Sequence, residues 1–187
     1  MQNHVRFSEV TKAYLCRYYE ILDEMIQGMT QARLTENISG SFIVQMIPHH
    51  RAAIEMSRNL LQYTTCVPLQ DIAANIISSQ TKSIEALQRV DPQCALVQNQ
   101  PQDVCLYRRK VQSILETMFH EMREAPAGNR INANFIREMV PHHEGAVRMS
   151  ENALRYSICP ELVPILQAII TSQKAGIRKM ECLLRRM

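Results

Sequence analysis

The sequence predicts an all-α fold, a helical bundle made of two tandem three-helix repeats related by a pseudo-two-fold axis. Three observations carry that expectation. Phe42 to Tyr63, FIVQMIPHHRAAIEMSRNLLQY, returns ninety-three residues later as Phe135 to Tyr156, FIREMVPHHEGAVRMSENALRY. The match runs without a gap to Gln88 and Glu181, and 20 of 47 positions are identical, which marks a duplication of one supersecondary unit. Apolar residues recur at helical spacing, and only five Gly among 187 residues, no Trp and eleven Met suit helices better than sheet.

The chain is long enough for one shared core, so residues 1–187 read as a single helical domain. Within it, 8–90 form the first half-repeat, 91–103 the linker DPQCALVQNQPQD, and 104–183 the second half-repeat. Helix one is expected from about Ser8, a cap former, to Ala32, with Tyr14, Tyr18, Ile21, Leu22, Met25 and Met29 on its apolar face. A polar turn over 35–41 leads into the helix bearing Pro48-His49-His50, where a mid-helix proline predicts a kink. Pro68 opens a third helix reaching about Arg89. The fourth, about Val104 to Glu124, echoes the first through Cys16/Cys105, Tyr18/Tyr107 and Met29/Met118, a spacing of eighty-nine. That spacing requires a four-residue insertion near 127–130. Helix five repeats the His-His helix, and helix six, from about Pro160, repeats helix three.

Composition narrows the function. Twenty-one Lys and Arg against eighteen Asp and Glu leave a net charge of +3, too weak a bias to indicate nucleic acid. No stretch is long and apolar enough to span a membrane. The amino end has no basic segment followed by an apolar run, so the expected location is cytoplasmic and the six cysteines are expected to be free thiols. Helix order also permits Cys16–Cys66 and Cys105–Cys159 disulfides, with Cys94 and Cys182 as further partners.

The chemistry lies in the repeat. Met46, His49, Ala53 and Met56 share one helical stripe, and Met139, His142, Ala146 and Met149 form its copy. Neighbouring histidines point about 100° apart. His49 and His142 are therefore expected inward, with His50 and His143 as alternates toward the flanking helices. Imidazole and thioether together favour copper(I) or silver over hard ions. Gln80 and Gln173 are expected near the histidine rings, either pairing across the core or orienting ligands. A di-iron centre would need carboxylates from both halves. Glu138, Glu144 and Glu55 have Gln45, Arg51 and Arg148 as counterparts, which opposes a symmetric iron site. Ser57 and Ser150 lack the acidic partner and elbow glycines of a hydrolase, so no catalytic residue is assigned.

MIPHHRAAIEM and MVPHHEGAVRM, each followed by Ser-Gln-x-x-x-Ile, resemble the ferritin-like helical domains of domain-of-unknown-function family 305, most of whose members are bacterial. The resemblance covers about Phe42 to Met180. It implies a ferritin-like bundle with the His-His helices central, and an association with copper or silver binding. The positions it brings forward are His49, His50, Ala53 and Met56, then His142, His143, Ala146 and Met149. In the third helices the family's Gln-x-x-Glu-Ile-x-x-Met becomes Gln80-x-x-Ser83-Ile84-x-x-Leu87 and Gln173-x-x-Gly176-Ile177-x-x-Met180, without either glutamate. The expected function is non-enzymatic binding of soft metal ions, with the metal ion as partner and a homodimer open. Two other classes remain: a structural or interaction protein that uses His and Met as core, and a non-haem metal oxidoreductase.

Overall fold

The computed structural model describes residues 6–187. It contains α1 (Glu9–Thr30), α2 (Ile38–Leu61), α3 (Val67–Cys94), α4 (Pro101–Arg123), α5 (Ile131–Ala153) and α6 (Leu162–Leu184). Local chemistry explains the starts. Ser8 Oγ accepts from Thr11 N–H and Asn37 Oδ1 from Gly40 N–H, each satisfying one free amide of a first turn. Pro68 and Pro101 occupy first turns of α3 and α4, where a missing N–H costs nothing. α3 runs on through Pro92 to Cys94, so the connection between the halves is 95–100, shorter than the expected linker.

α2 packs on α3, α3 on α6, α6 on α5 and α5 on α2, closing a ring of four helices; α1 lies against α2, and α4 against α5. The two His-His helices thus face each other at the centre. Both run unbroken through Pro48 and Pro141. At Gly28, α1 comes so close to α2 that an added Cβ would stand 2.9 Å from Pro48 Cβ, and only glycine lets the helices meet beside the histidines.

The spacing of eighty-nine between α1 and α4 is overturned. Asn59 Nδ2 donates to the Tyr14 carbonyl (3.1 Å) and Asn152 Nδ2 to the Tyr107 carbonyl (3.4 Å). Tyr14 meets Tyr63 edge-on at 5.8 Å, and Tyr107 meets Tyr156 edge-on at 6.0 Å. Tyr14 therefore corresponds to Tyr107, and the ninety-three-residue register extends through all six helices with no insertion. Burial agrees, with Tyr14, Ile21, Met25 and Met29 matching Tyr107, Ile114, Met118 and Met122. The eighty-nine-residue echo is displaced by four residues, about one turn, so it paired residues on the same helix face one turn out of step; the contacts with α2 and α5 decide which turn is equivalent.

The cysteine expectations are also corrected. Cys94 and Cys159 form a buried disulfide, with Cα atoms 5.1 Å apart, joining the end of α3 to the segment before α6. Cys16 and Cys105 lie on exposed helix faces, so neither reaches a core partner; Cys66 and Cys182 are half-buried thiols. Cys66 is the repeat counterpart of Cys159, but the counterpart of Cys94 is Met187, so the bond has no symmetric copy. Its surroundings are tied down too: Asn99 bridges the Ile38 N–H and the Ser157 carbonyl, and Ser39 Oγ accepts from Cys159 N–H.

Alkylation under denaturing, non-reducing conditions should add four adducts, rising to six after reduction; six without reductant would refute the pair. Replacing both bridged cysteines by Ser should cost ~2–4 kcal/mol of stability in urea unfolding, mainly through the unfolded chain.

Candidate metal centre

α2 contacts both α5 and α3, so its adjacent histidines separate. His49 turns toward α5 and His50 toward α3; His142 and His143 do the same toward α2 and α6. The His49 and His142 rings stack with centroids 3.7 Å apart and planes 28° from parallel. Each Nε2 sits against the other residue's backbone carbonyl, His49 Nε2 to His142 O at 3.2 Å and His142 Nε2 to His49 O at 3.1 Å. A carbonyl only accepts, so both Nε2 atoms carry the proton and both Nδ1 atoms keep a lone pair. His50 Nε2 meets Ser83 Oγ at 3.0 Å. Its counterpart differs, because Ser83 is replaced by Gly176, whose Cβ would lie 3.2 Å from His143 Nε2.

All four rings are buried. Burial holds His49 well below the ordinary imidazole range, with His142 beside it adding to the effect. It lowers His50 to about 3 and His142 to about 4, and puts His143 well below its usual value. At neutral pH the four are uncharged, the form that binds metals. Their Nδ1 atoms are buried and have no hydrogen-bond partner among the described residues.

Met46, Met56, Met139 and Met149 are all buried in the core on the same two helices. The stack limits what the inward pair can do together. An ion in the plane of one ring lies well out of the plane of the other, so the two nitrogens do not converge until a ring turns. Among the described residues no three His, Cys, Asp or Glu side chains converge on one point. Gln80 and Gln173 are buried at the junction of α3 and α6, on the His50 side, with no hydrogen bond to each other.

Sequence reasoning weighed Glu138 only as an iron ligand and missed its role. It is buried one turn before His142, and the Tyr14 hydroxyl donates to its Oε2 at 2.5 Å. Burial raises its carboxyl to about 8, with the Tyr14 bond opposing. Its counterpart Gln45 donates to the Met29 carbonyl at 3.3 Å instead, and the Tyr107 hydroxyl has no partner among the described residues. The substitution of Gln by Glu at the same repeat position was the available signal.

The profile of a family described as "Domain of unknown function (DUF305)" matches residues 20–91 and 108–184, extending into α1 and α4 beyond the stretch that carries the sequence resemblance. A structure described as "CopM in the Ag-bound form (by soaking)" is 28% identical, covers 81% of this chain and 98% of its own, and superposes with a TM-score of 0.60. "CopM in the Cu(II)-bound form" is 29% identical over 79% of this chain and 96% of that one, with a TM-score of 0.59. A DUF305 fragment from Deinococcus radiodurans, 22% identical over 82% of this chain and 99% of its own, shares the fold at a TM-score of 0.59. Among curated proteins none matches.

The buried groups dictate two opposite pH effects. Glu138 is protonated in the fold and ionised in the unfolded chain at neutral pH, so its contribution to stability falls as pH rises from its ordinary value toward about 8. Glu138→Gln should raise stability at pH 8 by ~2 kcal/mol and change it little at pH 5. An equal change at both pH values in urea melts would refute the buried acid. The histidines act in the other direction: stability should be lost as pH falls below about 6.5, where the unfolded chain takes up protons that the folded rings refuse.

Proposed function

We propose that this chain, which belongs to the domain-of-unknown-function family 305, is a non-enzymatic binder of soft metal ions, copper or silver. The ion is cargo, held by histidine nitrogen and methionine sulfur: His49 and His142 with Met46, Met56, Met139 and Met149, and His50 and His143 as the alternate pair. One observation carries the reading, namely neutral buried imidazoles that each keep an unpartnered Nδ1 in a methionine-rich core. For His49 and His142 the opposite ring nitrogen already donates to a carbonyl, the arrangement that fixes the tautomer of a ligating histidine. Similarity to CopM, solved in silver-bound and copper(II)-bound forms, supports the class of ion. Two-ring ligation of one ion requires the stack to open; ligation by one ring and thioethers does not. Copper(I) and silver accept such low coordination, whereas iron redox chemistry asks for the converging carboxylates that the described residues lack.

A second reading is favoured by the reciprocal bonding itself. The stacked histidines would then be a structural clasp between the halves, with His and Met used only as core. Binding and stability separate the two readings. In a variant with Cys16, Cys66, Cys105 and Cys182 changed to Ser, which removes competing thiols, copper(I) and silver titrations should give saturable binding. His49→Gln with His142→Gln should weaken it at least about tenfold, and metal should shift the Nδ1 rather than the Nε2 signals in nitrogen NMR. Binding that survives replacement of all four histidines would refute the metal reading. Lost stability with unchanged affinity would establish the clasp.

A further inference from the structure

We propose that Cys66 and Met187 form a second soft-ion site, a two-sulfur seat for a single copper(I) or silver ion at the opposite end of α3 from the Cys94–Cys159 bond. The duplication places the pair. Cys66 is the repeat counterpart of Cys159 and Met187 that of Cys94, two residues whose Cα atoms lie 5.1 Å apart in the disulfide. The pseudo-two-fold axis therefore carries the bonded pair onto Cys66 and Met187, and both of these line one cleft between the start of α3 and the end of α6.

The backbone at the two ends is held in a matching way. Asn37 Nδ2 donates to the Ala95 carbonyl at 3.3 Å, and its repeat counterpart Arg130 donates through Nη1 to the Met187 carbonyl at 2.8 Å. The Met187 N–H donates in turn to the Leu184 carbonyl at 3.2 Å. Both backbone groups of Met187 are thus tied where the symmetry puts them.

The side-chain chemistry is what differs. Two thiols can close into a disulfide, whereas a thiol and a thioether cannot, so both sulfurs at this end keep their lone pairs. Cys66 is a half-buried free thiol and Met187 is 39% exposed, which leaves the pair within reach of an ion from solvent. Thiolate with thioether selects copper(I) or silver over hard ions. Charge points the same way. Among the described residues lining the cleft Arg130 is the one charged side chain, and none is a carboxylate. A monovalent ion that replaces the thiol proton adds no net charge beside the guanidinium, and a divalent ion would add one. The proton passes to solvent and no electron moves.

The site shares no residue with the four histidines and stands whether or not they bind metal. The variant proposed for the histidine titrations lacks Cys66, so the two sites are judged separately.

The test uses the full chain with Cys16, Cys105 and Cys182 changed to Ser, labelled with 15N and with 13C in the methionine methyl groups. Silver or copper(I) should move the Met187 methyl resonance and the Cys66 amide resonance together along one saturable curve. Cys66→Ser, which keeps a helix-capping residue at the start of α3, should abolish the methyl shift. Met187→Leu should weaken the binding seen at Cys66 by at least about tenfold. Placement is checked without metal: in the otherwise native chain, Met187→Cys should close a second disulfide with Cys66 under oxidising conditions and leave only Cys16, Cys105 and Cys182 open to alkylation. The proposal is overturned if the Met187 methyl stays in place while the ion binds, if it moves equally without Cys66, if Met187→Leu binds like the parent, or if Cys66 remains open to alkylation beside Met187→Cys.

Discussion

The contact on which the molecule turns is the reciprocal bond between His49 and His142 across the pseudo-two-fold axis. Each ring gives its Nε2 proton to the other residue's carbonyl, and the rings stack at 3.7 Å. That single arrangement joins the halves at their centre and determines the tautomer. It also leaves both Nδ1 atoms bare. Burial keeps the rings neutral, so the contact carries no charge repulsion at neutral pH. It would fail in acid, where a protonated ring is confined next to its equally protonatable twin.

Around this contact the duplication has been edited. Ser83 gives His50 a hydroxyl partner, whereas Gly176 packs closely on the His143 ring and offers it no side chain to pair with. Gln45 and Glu138 give one half a neutral amide and the other a buried acid held by Tyr14. Cys94 and Met187 give one end a covalent tie and the other none. In every pair the backbone positions are equivalent and the chemistry is not. The symmetric frame maintains packing, while single substitutions give the two halves different side-chain contacts. The core methionines suit such editing, because flexible, polarisable side chains fill irregular space around changed neighbours.

Metal binding and core packing ask for overlapping residue types here. Met46, Met56, Met139 and Met149 would be buried in a purely structural bundle as well. The histidines are different. Four buried imidazoles, each with a nitrogen left without a partner, leave part of their bonding capacity unused by the fold. Similar structures are described as copper(II)-bound and silver-bound forms of CopM, and burial raises the carboxyl of Glu138, one turn from His142, to about 8.

The family resemblance implied the central position of the His-His helices, and sequence alone determined the helical class, the two repeats and the residues of the His-Met stripe. These depend on periodicity and on self-similarity, which are properties of letters in order. Helix starts at Ser8 and near Pro68 were legible for the same reason, since caps act within one turn. Tertiary structure decided the rest. Tyr18 seemed to answer Tyr107 because nearby letters matched and a four-residue shift keeps the same helix face, but the contacts with Asn59 and Asn152 make Tyr14, one turn away, the true counterpart. Cys94 and Cys159 stand 65 residues apart, and only the packing of α3 against α6 brings their Cα atoms to 5.1 Å. The stacking of His49 on His142, the burial of Glu138 and the cleft shared by Cys66 and Met187 arise from contacts between distant segments. Their physics is that of neighbours in space, and a local pattern carries no record of those distances.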